Sequence, residues 1–572
     1  MKTTEQHTPA LAINDAARAD PWSRIGGPLR GRATAVWLCA AISMLAACGG
    51  GGGGGDDGGG TAPADAELRV AVVHPGASTG QTRWVSSQPA GIDCGLLCNT
   101  RFALSTLVSL TATAPSGLQF SGWSGDCSGA ALTCTLSMVS ARSVTATFVA
   151  TPQVGGWSDA LVLSAAGAGA ARVGIDAAGR ATAVWLQTDP AASRRSVWSS
   201  RRAPGGPWSA PALLESSDTD FFEVDLAVDA SSGRLVAAWR GATIPEVFAR
   251  SADATGVWGA TARINGIGNN INDLQVGIDA NGQAVAVWSQ TPVGSTLTSI
   301  WSNRTADAGA WQGALQVALA ANDRQDLDPS LAVSANGQAF VVWTRNGSGV
   351  MASHAGAAAP WSTPSVLAAG AVSTGVAAPR VVADANGIAM AVWAQGARNS
   401  SNQVETTLAA KRFANGAWQG SATTLYTPVV TSLLSQARLA VNGPGQFAAI
   451  WAQADTSIRA AQTASAGTWG AATTVRAAGQ ELLSQPQVGL DAAGNLFGTW
   501  TQRATSASTP ELWLNRSTAG SGWSQAAVHQ TTTGASGDPR VAMNEGGDAV
   551  LVWVQNGNDG SRVLSRHFTP AR

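Results

Sequence analysis

A motif of 13 or 14 residues that ends in tryptophan occurs eight times between Val173 and Trp553. Each copy has an apolar segment, a polar turn that contains glycine, and a run of small or branched residues, as in VGIDANGQAVAVW from Val276 to Trp288. The terminal tryptophans recur about every 53 residues, a period that fits β-propeller blades and exceeds that of most helical repeats. Because the apolar residues alternate with period two around a glycine turn, each motif predicts a β-hairpin.

Two further strands complete each repeat. A second tryptophan opens another strand, as at Trp208, and a variable strand such as SVWSSRR lies between the two tryptophan strands. Four strands per repeat are typical of a propeller blade. The repeat region begins with a lone fourth strand, Trp157 to Leu163, and ends with a repeat of three strands that finishes at Phe568.

The lone first strand can complete the last repeat and remove two exposed sheet edges. We therefore predict an all-β fold in which residues 153–572 form an eight-bladed β-propeller that is closed by its N-terminal strand. An open array of the same repeats is the alternative, although an open array needs polar caps at its ends.

The composition agrees with a β-rich repeat protein. The chain of 572 residues contains 66 glycines and 23 tryptophans, and only 12% of its residues are charged. We expect the periodic tryptophans to pack between blades. Within the repeat region, three tryptophans fall outside the periodic sets, and exposed rings at these places would be able to stack on sugars: Trp198, Trp301 and Trp513.

The N-terminal segment has the pattern of an export signal. Arg30 and Arg32 precede a short apolar run, and the tetrad LAAC follows it, ending at Cys48. A basic region, an apolar run too short to span a bilayer and small residues before a cleavage site are typical of a secretory signal. The tetrad resembles the lipobox of bacterial lipoproteins, and this resemblance assigns Cys48 as the lipidated N-terminus of the mature protein. A secreted protein with an unmodified cysteine is the alternative.

These features predict a lipoprotein signal peptide over residues 1–47 and a Gly-rich tether over residues 48–66. Gly-rich chain is flexible and has no capacity to form a core. In lipobox-type proteins, Gly rather than Asp after the cysteine favours the outer membrane. Gly49 therefore predicts a lipid-anchored protein of the bacterial outer membrane, facing either the periplasm or the exterior.

Residues 67–150 contain GIDCGLLC, GWSGDC, LTCTLSM and SVTATF in succession. This succession resembles the divergent internalin-type B-repeat, a small β-domain of exported proteins. The resemblance implies a spacer or an adhesive module and brings no catalytic residues.

The cysteine count favours disulfide bonds in this segment. Of six cysteines, Cys39 leaves with the signal and Cys48 takes the lipid, so four remain. Four cysteines allow three pairings. Zinc is the rival interpretation, but the spacings suit zinc poorly and an exported domain meets oxidising conditions. We favour two local disulfides: Cys94–Cys98 and Cys127–Cys134.

The sequence gives little support for catalysis. It contains no phosphate loop and no metalloprotease helix, and its match to Gly-x-Ser-x-Gly, Gly76 to Gly80, lies outside the repeats. The repeat differs from a sialidase Asp-box in its Asp-to-Trp spacing, and the single tyrosine, Tyr426, ends a fourth strand. A net charge of −1 without a basic block in the mature part argues against nucleic acid as a partner. We expect no catalytic residues and no cofactor, with calcium as the one alternative.

A short polar residue occupies the same turn of every repeat: Asp176, Asp229, Asp279, Ser334, Asp384, Asn442, Asp491 and Asn544. These residue types interchange where a side chain accepts hydrogen bonds from turn amides, while glycine takes the positive φ. We expect the set to cap turns, and calcium binding at the turns is the alternative.

A second polar set comes just before the first strand of six repeats: Glu223, Asp273, Asp328, Gln436, Gln485 and Asp538. In a propeller, the loop that enters the innermost strand lies beside the central channel. Four carboxylates around one axis repel one another unless water, a cation or a ligand intervenes. The set is therefore a candidate site for a polar ligand or for a cation of unknown identity. Loop residues without a binding role are the alternative.

We expect a lipid-anchored, non-catalytic binding protein of the cell envelope. The segment 67–150 would raise the propeller from the membrane, and the propeller would bind a glycan or an envelope protein. Two other functions stay open. A glycan hydrolase or lyase would act at the channel mouth, and a scaffold would hold envelope proteins on the propeller face.

Overall fold

A computed structural model describes residues 65–74, 84–95, 97–114, 118–150, 155–189, 193–216, 220–241, 245–266, 268–306, 309–318, 324–346, 349–369, 377–398, 404–427, 437–453, 457–464, 467–477, 482–529 and 534–571. The regular structure in these segments is all β, and they contain no helix suited to crossing a membrane. The chain divides into two compact units, one that includes residues 65–150 and one that includes residues 155–570. The predicted signal peptide, Cys48 and Gln436 lie outside the described residues.

In the smaller unit, the part of the chain that the structure describes forms eight strands in two sheets. The strands are β1 (Asp65–Val73), β2 (Val85–Gln88), β3 (Asp93–Cys94), β4 (Asn99–Ala103), β5 (Leu107–Ala112), β6 (Leu118–Gly125), β7 (Thr133–Ser137) and β8 (Arg142–Ala150). One sheet has the order β4-β1-β8-β6 and the other the order β3-β2-β5-β7. The pair β1–β8 is parallel.

The core of the smaller unit lies on the alternate residues of these strands. Leu68, Val108 and Val144 are fully buried and belong to one hydrophobic cluster. Two disulfide bonds connect residues close in the sequence, Cys94–Cys98 and Cys127–Cys134. The two local pairings favoured from the sequence are thus the pairings that the structure contains. A thin core of this size needs such cross-links.

The described residues of the larger unit form eight antiparallel sheets, numbered 1 to 8 here along the chain. Two short strands precede sheet 1, β9 (Gly156–Trp157) and β10 (Leu161–Val162). Sheet 1 contains β11 (Ala168–Ile175), β12 (Ala181–Asp189), β13 (Arg194–Arg202) and β14 (Ala212–Glu215). Sheet 2 contains β15 (Phe221–Val228), β16 (Leu235–Gly241), β17 (Val247–Ala252) and β18 (Ala262–Arg263). Sheet 3 contains β19 (Asn269–Ile278), β20 (Ala284–Thr291), β21 (Ser299–Arg304) and β22 (Leu315–Ala318). Sheet 4 contains β23 (Asp326–Val333), β24 (Ala339–Arg345), β25 (Gly349–Ala355) and β26 (Ser365–Ala369).

The remaining sheets follow the same order, and the outer strand is split in two in sheets 5 and 7. Sheet 5 contains β27 (Ala377–Ala383), β28 (Ala389–Arg398), β29 (Val404–Ala414), β30 (Ala417–Trp418) and β31 (Thr423–Tyr426). Sheet 6 contains β32 (Arg438–Val441), β33 (Phe447–Ala452), β34 (Ile458–Gln462) and β35 (Thr473–Arg476). Sheet 7 contains β36 (Leu482–Leu490), β37 (Leu496–Arg503), β38 (Glu511–Thr518), β39 (Gly522–Trp523) and β40 (Ala527–Val528). Sheet 8 contains β41 (Ser536–Met543), β42 (Ala549–Gly557) and β43 (Gly560–Thr569).

The repeated motif forms the hairpin of the first two strands in each sheet. In sheet 3, β19 and β20 pair through Ile278 and Ala284 around a turn in which Gly282 has a φ of 85°. Glycine accepts this left-handed conformation without steric cost. The tryptophans that end the motifs lie within the second strands and are each at most 1% exposed: Trp185, Trp239, Trp288, Trp343, Trp393, Trp451, Trp500 and Trp553. The period of the sequence is therefore the period of the packing.

The segment before sheet 1 supplies the outer strands of sheet 8. β10 pairs with β43 through Leu161 and Ser565, and β9 pairs with β43 through Trp157 and Phe568. The Trp157 ring packs against Phe497 of sheet 7, with 5.1 Å between ring centroids. Residues from the two ends of the larger unit thus share one sheet.

Sheet 1 also packs against sheet 8 through apolar side chains. Val173 and Ile175 of β11 share a buried cluster with Val550 and Val552 of β42. Clusters of the same kind join consecutive sheets elsewhere, for example sheets 5 and 6. The interface between the last and the first sheet therefore resembles an interface between neighbours.

Asparagines at the hairpin turns link sheet 8 to sheet 1 in the same way as they link two consecutive sheets. Asn442 Nδ2 of sheet 6 donates a hydrogen bond to the backbone oxygen of Asp491 in sheet 7, at 2.8 Å. Asn544 Nδ2 of sheet 8 donates to the backbone oxygen of Asp176 in sheet 1, at 3.2 Å. One bond joins residues that are neighbours in repeat order, and the other joins the two ends of the array.

Candidate ligand-binding site

Most first strands contain a β-bulge near their start. Register shifts mark the bulge in sheets 1, 3, 4, 5, 7 and 8. In these sheets other than sheet 5, one non-glycine residue at the bulge has a φ between 48° and 55°: Ala170, Asp273, Asp328, Gln485 and Asp538. In sheet 2 the shift lies beside Glu223. We call this residue the bulge position. A bulge redirects a side chain and is common beside functional sites.

The predicted polar set occupies this position, so one detail of the prediction is wrong. The five members that are described lie within the first strands and not in the loops before them. The reason is that no glycine marks the bulge, so that the sequence resembles a loop followed by a strand. The set nevertheless shares one structural position, as its spacing indicated.

Four of the predicted residues meet in one cleft of about 670 Å³: Glu223, Asp273, Gln485 and Asp538. The lining residues come from sheets 1, 2, 3, 7 and 8, so the first strands of these sheets converge there. Asp328 is not among the lining residues. We call this space the bulge cleft.

Hydrogen bonds hold the polar groups of the bulge cleft in place. Gln485 Oε1 accepts a hydrogen bond from the backbone amide of Asp538, at 2.8 Å, and this bond joins sheets 7 and 8. Asp273 Oδ2 accepts from Ser289 Oγ at 3.0 Å. Ordered carboxylate and amide groups are suited to hold a polar ligand in one orientation.

Glu223 has the most perturbed acidity in the cleft. Its side chain is 11% exposed and lies 3.5 Å from Arg240 Nε. Burial, and then the charge of Asp273, raises the pKa of Glu223 to about 7, although Arg240 opposes the shift. Near neutral pH this carboxyl is therefore able both to donate and to accept a hydrogen bond.

Arginines balance the carboxylates of the cleft, and sequence reasoning missed them. Arg540 Nη2 lies 2.6 Å from Asp538 Oδ1, and Arg172 Nη1 lies 3.5 Å from Asp538 Oδ2. Arg172 Nε also lies 3.9 Å from Asp225 Oδ1. The repulsion that favoured a bound cation from the sequence is thus reduced by protein groups. The available signal was the residue two places after each bulge position, which is arginine in both strands.

The cleft also has an exposed aromatic ring. Phe222, next to Glu223, lines the cleft and is 46% exposed. Arg195 Cζ lies 4.1 Å from the centre of this ring, and Arg240 Cζ lies 5.7 Å from it. Cation–π contacts of this kind fix the ring while leaving part of it open to solvent.

The three off-pattern tryptophans do not form an exposed aromatic surface. Trp198, Trp301 and Trp513 stand opposite the periodic tryptophans of their own sheets in the strand register. They are partly buried and pack against the hydrophobic clusters. The expectation that these rings stack on sugars is therefore not supported by their burial.

The polar turn residues bind backbone amides. Asp279 Oδ1 accepts hydrogen bonds from the amides of Asn281 and Gln283, at 2.9 and 2.8 Å. Asp384 and Asn544 make corresponding contacts. These bonds agree with the predicted capping. Within the described segments, no group of three or more His, Cys, Asp or Glu side chains is arranged to hold a metal ion.

A second cleft of about 590 Å³ lies between sheets 3 and 4. Its one charged lining residue is Arg304, which lies 5.8 Å from the centre of the Trp361 ring. The Trp361 indole donates to Ser302 Oγ at 2.7 Å, so its polar atom is already engaged. The bulge cleft, with several converging charged and polar groups, is the stronger candidate.

Comparisons with known proteins identify part of the smaller unit. The model of the divergent InlB B-repeat domain matches residues 95–152. This match supports the resemblance seen in the sequence over that part of residues 67–150. No curated protein matches the chain.

Several solved structures resemble the chain at low identity. A lectin from Burkholderia pseudomallei is 14% identical with a TM-score of 0.40, and the alignment covers 65% of this chain and 100% of the lectin. An α-L-arabinanase from Penicillium chrysogenum is 15% identical with a TM-score of 0.31, covering 52% of this chain and 94% of the arabinanase. A protein of unknown function from Dyadobacter fermentans is 12% identical with a TM-score of 0.35, covering 61% of this chain and 94% of that protein.

Proposed function

We propose that the eight sheets are the blades of a closed β-propeller and that the bulge cleft is the mouth of its central channel. The strand pairing of β9 and β10 with β43 supports closure. The cluster between sheets 1 and 8 supports it independently. An open array would leave these apolar faces in contact with water.

We propose that the channel mouth binds a glycan and that the protein is a non-catalytic binding protein. The observation that carries this proposal is the composition of the bulge cleft, where exposed Phe222 adjoins Glu223, Asp273 and Gln485. A sugar presents an apolar face, on which an aromatic ring stacks, and hydroxyl groups, which carboxylates and amides bind. The volume of about 670 Å³ lies within the usual range for small ligands and favours a glycan over a broad protein surface.

The proposal is tested first with a glycan array on the full chain, followed by calorimetry with the glycans that bind. Phe222→Ala should weaken binding by about tenfold, since one stacking face is lost. Leu213→Ala is the matched control, because Leu213 is 48% exposed on the outer strand β14 and lies away from the cleft. Failure to bind any glycan, or equal losses in the two variants, would contradict glycan binding at this cleft.

The proposal includes a lipid anchor in the outer membrane. The tetrad that ends at Cys48 supports the anchor, and the B-repeat match at residues 95–152 supports an exported spacer. Cys48→Ala should release the protein from the membrane fraction or block its processing. Processed protein that stays in the membrane fraction despite this change would refute the anchor.

Glycan hydrolysis or cleavage by a lyase is a second candidate function, favoured by one observation. Glu223, with a pKa of about 7, lies beside the charged Asp273 in the cleft. Acid–base cleavage of a glycosidic bond requires a pair of carboxyl groups, one of which supplies a proton. Glu223→Gln should then abolish product formation from a bound glycan while preserving its binding. A glycan that binds the wild type and yields no product over prolonged incubation would exclude this candidate.

A further inference from the structure

In every first strand, the second residue after the bulge position occupies what we call the clip position. The eight residues are, in sheets 1 to 8, Arg172, Asp225, Gln275, Ser330, Arg380, Arg438, Gln487 and Arg540. All eight are polar, and each is at most 8% exposed. Buried polar residues at one repeated position require a physical reason.

In sheets 2 to 4 the clip residue joins its strand to the next sheet. Asp225 Oδ2 accepts a hydrogen bond from the amide of Val276 at 2.8 Å. Gln275 Oε1 accepts from the amide of Leu331 at 2.8 Å. Ser330 Oγ accepts from the amide of Val381 at 3.2 Å. Structural cohesion explains these three residues.

Arginine cannot play this role, because it has no acceptor atom. Each of the four arginines instead donates Nη1 to the backbone oxygen of the residue before it, at 2.8 to 3.4 Å. The shared contact gives the four guanidinium groups the same arrangement on their strands. An acceptor bond to the next first strand therefore does not explain them, although Arg172 also lies 3.9 Å from Asp225 of sheet 2 and 3.5 Å from Asp538 of sheet 8.

The arginines lie on neighbouring sheets, and one glutamine stands between them. Sheets 5, 6, 7, 8 and 1 carry Arg, Arg, Gln, Arg and Arg at the clip position, and we call this set the arginine arc. At the bulge position the same five sheets carry one carboxylate, Asp538, while Glu223, Asp273 and Asp328 belong to sheets 2 to 4. The first strands therefore separate a cationic side from an acidic side.

The cationic charges affect one another. Burial, and then the charge of Arg540, lowers the pKa of Arg438 to about 9, although Asp538 opposes the shift. Burial also lowers the pKa of Arg540 to about 10, and Arg172 contributes to the same shift. A negative group beside these side chains would relieve the repulsion.

Gln487, at the centre of the arc, supplies an independent observation. The side chain is 1% exposed, and neither Nε2 nor Oε1 has a hydrogen-bond partner within the described chain. Its counterpart Gln275 uses both atoms, since Nε2 also donates to the backbone oxygen of Pro329 at 2.8 Å. A buried amide without partners is costly and indicates a group that serves something other than the fold.

We propose that the arginine arc binds the acidic group of a saccharide, a carboxylate or a sulfate, with Gln487 donating a hydrogen bond to it. This inference rests on the proposed glycan-binding function and names its ligand class. Guanidinium groups bind both anions through paired hydrogen bonds. The carboxylates on the opposite side repel the acidic group and bind hydroxyls, so the ligand enters the channel in one orientation.

The test is calorimetry on the full chain at constant ionic strength with glucose, glucuronate, glucose 6-sulfate and sodium sulfate. Glucuronate or glucose 6-sulfate should bind at least about tenfold more tightly than glucose. Comparison of the two acidic sugars identifies whether carboxylate or sulfate is preferred. Arg438→Gln and, separately, Gln487→Leu should remove this preference and leave glucose binding within about twofold.

Arg263→Gln is the control for loss of charge, because Arg263 is an exposed arginine on the outer strand β18. It should leave every affinity unchanged. If Arg438→Gln does not fold, Gln487→Leu still provides the test, since this change removes no charge and no hydrogen bond within the described chain.

Each outcome has a separate meaning. Equal affinity for glucose and both acidic sugars overturns the inference and leaves glycan binding intact. A preference that persists in both variants also overturns it. Binding of sodium sulfate that Arg438→Gln abolishes, without binding of any sugar, supports the anion site and contradicts the glycan function.

Discussion

The clip position serves different purposes on the two sides of the larger unit. In sheets 2 to 4 it carries an acceptor that holds the next first strand. In the arginine arc it carries four arginines and Gln487, and in two places a link between sheets occurs at the other end of the first strand, through Asn442 and Asn544. A repeated fold can thus move a stabilising contact along the strand and release a central position for binding. The comparison predicts that the two sides respond differently to the same kind of change.

Removal of the segment 156–163 should have the largest effect. The arginine arc crosses the junction of sheets 8 and 1, so it is complete only if this junction is formed. Loss of a strand face of a few hundred Å² should reduce the free energy of unfolding by several kcal/mol, at about 25 cal/mol per Å². Thermal unfolding should occur far lower, and removal of 570–572 is the control. An unchanged melting temperature would indicate an open array.

Glu223 lies on the acidic side of the larger unit, and Glu223→Gln should change how the free energy of unfolding depends on pH. The pKa of Glu223 is raised from 4.5 to about 7 in the folded protein, so the native state binds the proton more tightly than the unfolded chain. Its contribution is fully present below pH 4.5 and is lost as the pH rises through 7. The free energy of unfolding of the variant minus that of the wild type should be about 3 kcal/mol more favourable at pH 8 than at pH 4. Urea unfolding at the two pH values measures this difference. Equal effects at both pH values would contradict the assigned acidity.

The two clip glutamines provide a matched pair. Gln275→Leu breaks two hydrogen bonds to the next sheet and should lower the free energy of unfolding by about 1–3 kcal/mol. Gln487→Leu removes an amide without partners and should leave stability unchanged or raise it. Chemical denaturation measures both. Equal losses of unfolding free energy in the two variants would mean that the clip residue stabilises the fold equally on both sides of the unit.

Substitutions of the two turn asparagines test the junction of sheets 8 and 1 and should change the free energy of unfolding by a smaller amount. In Asn442→Asp and Asn544→Asp the capping acceptor is retained, while the donor to the next sheet is lost. Each change should cost about 1 kcal/mol, since one hydrogen bond is removed in each case. A cost at Asn442 without a cost at Asn544 would show that sheets 8 and 1 do not meet as sheets 6 and 7 do.

The sequence predicts those features of the fold that arise from local patterns. The hairpins follow from alternation around a glycine turn, and the buried tryptophans follow from their period. The pairs Cys94–Cys98 and Cys127–Cys134 follow from short spacing. In each case, the residues that signal the structure are also the residues that form it.

The candidate site was only partly predictable, because its residues meet through the arrangement of whole sheets. Arg172 and Arg540 are far apart in the sequence and contact the same carboxylate, Asp538. The bulge at Asp273 has a positive φ without a glycine to mark it. The raised pKa of Glu223 depends on its burial, which the sequence pattern does not reveal. The sequence identified the acidic side, whereas the cationic side required the structure.

A crystal structure of the full chain with glucuronate bound tests the central claim most directly. The account predicts the sugar in the bulge cleft, with its carboxylate toward Arg172 and Arg540, the members of the arginine arc that line the cleft, and its hydroxyls toward Asp273 and Glu223. A ligand whose carboxylate lies on the acidic side, or a ligand bound outside the cleft, would contradict it.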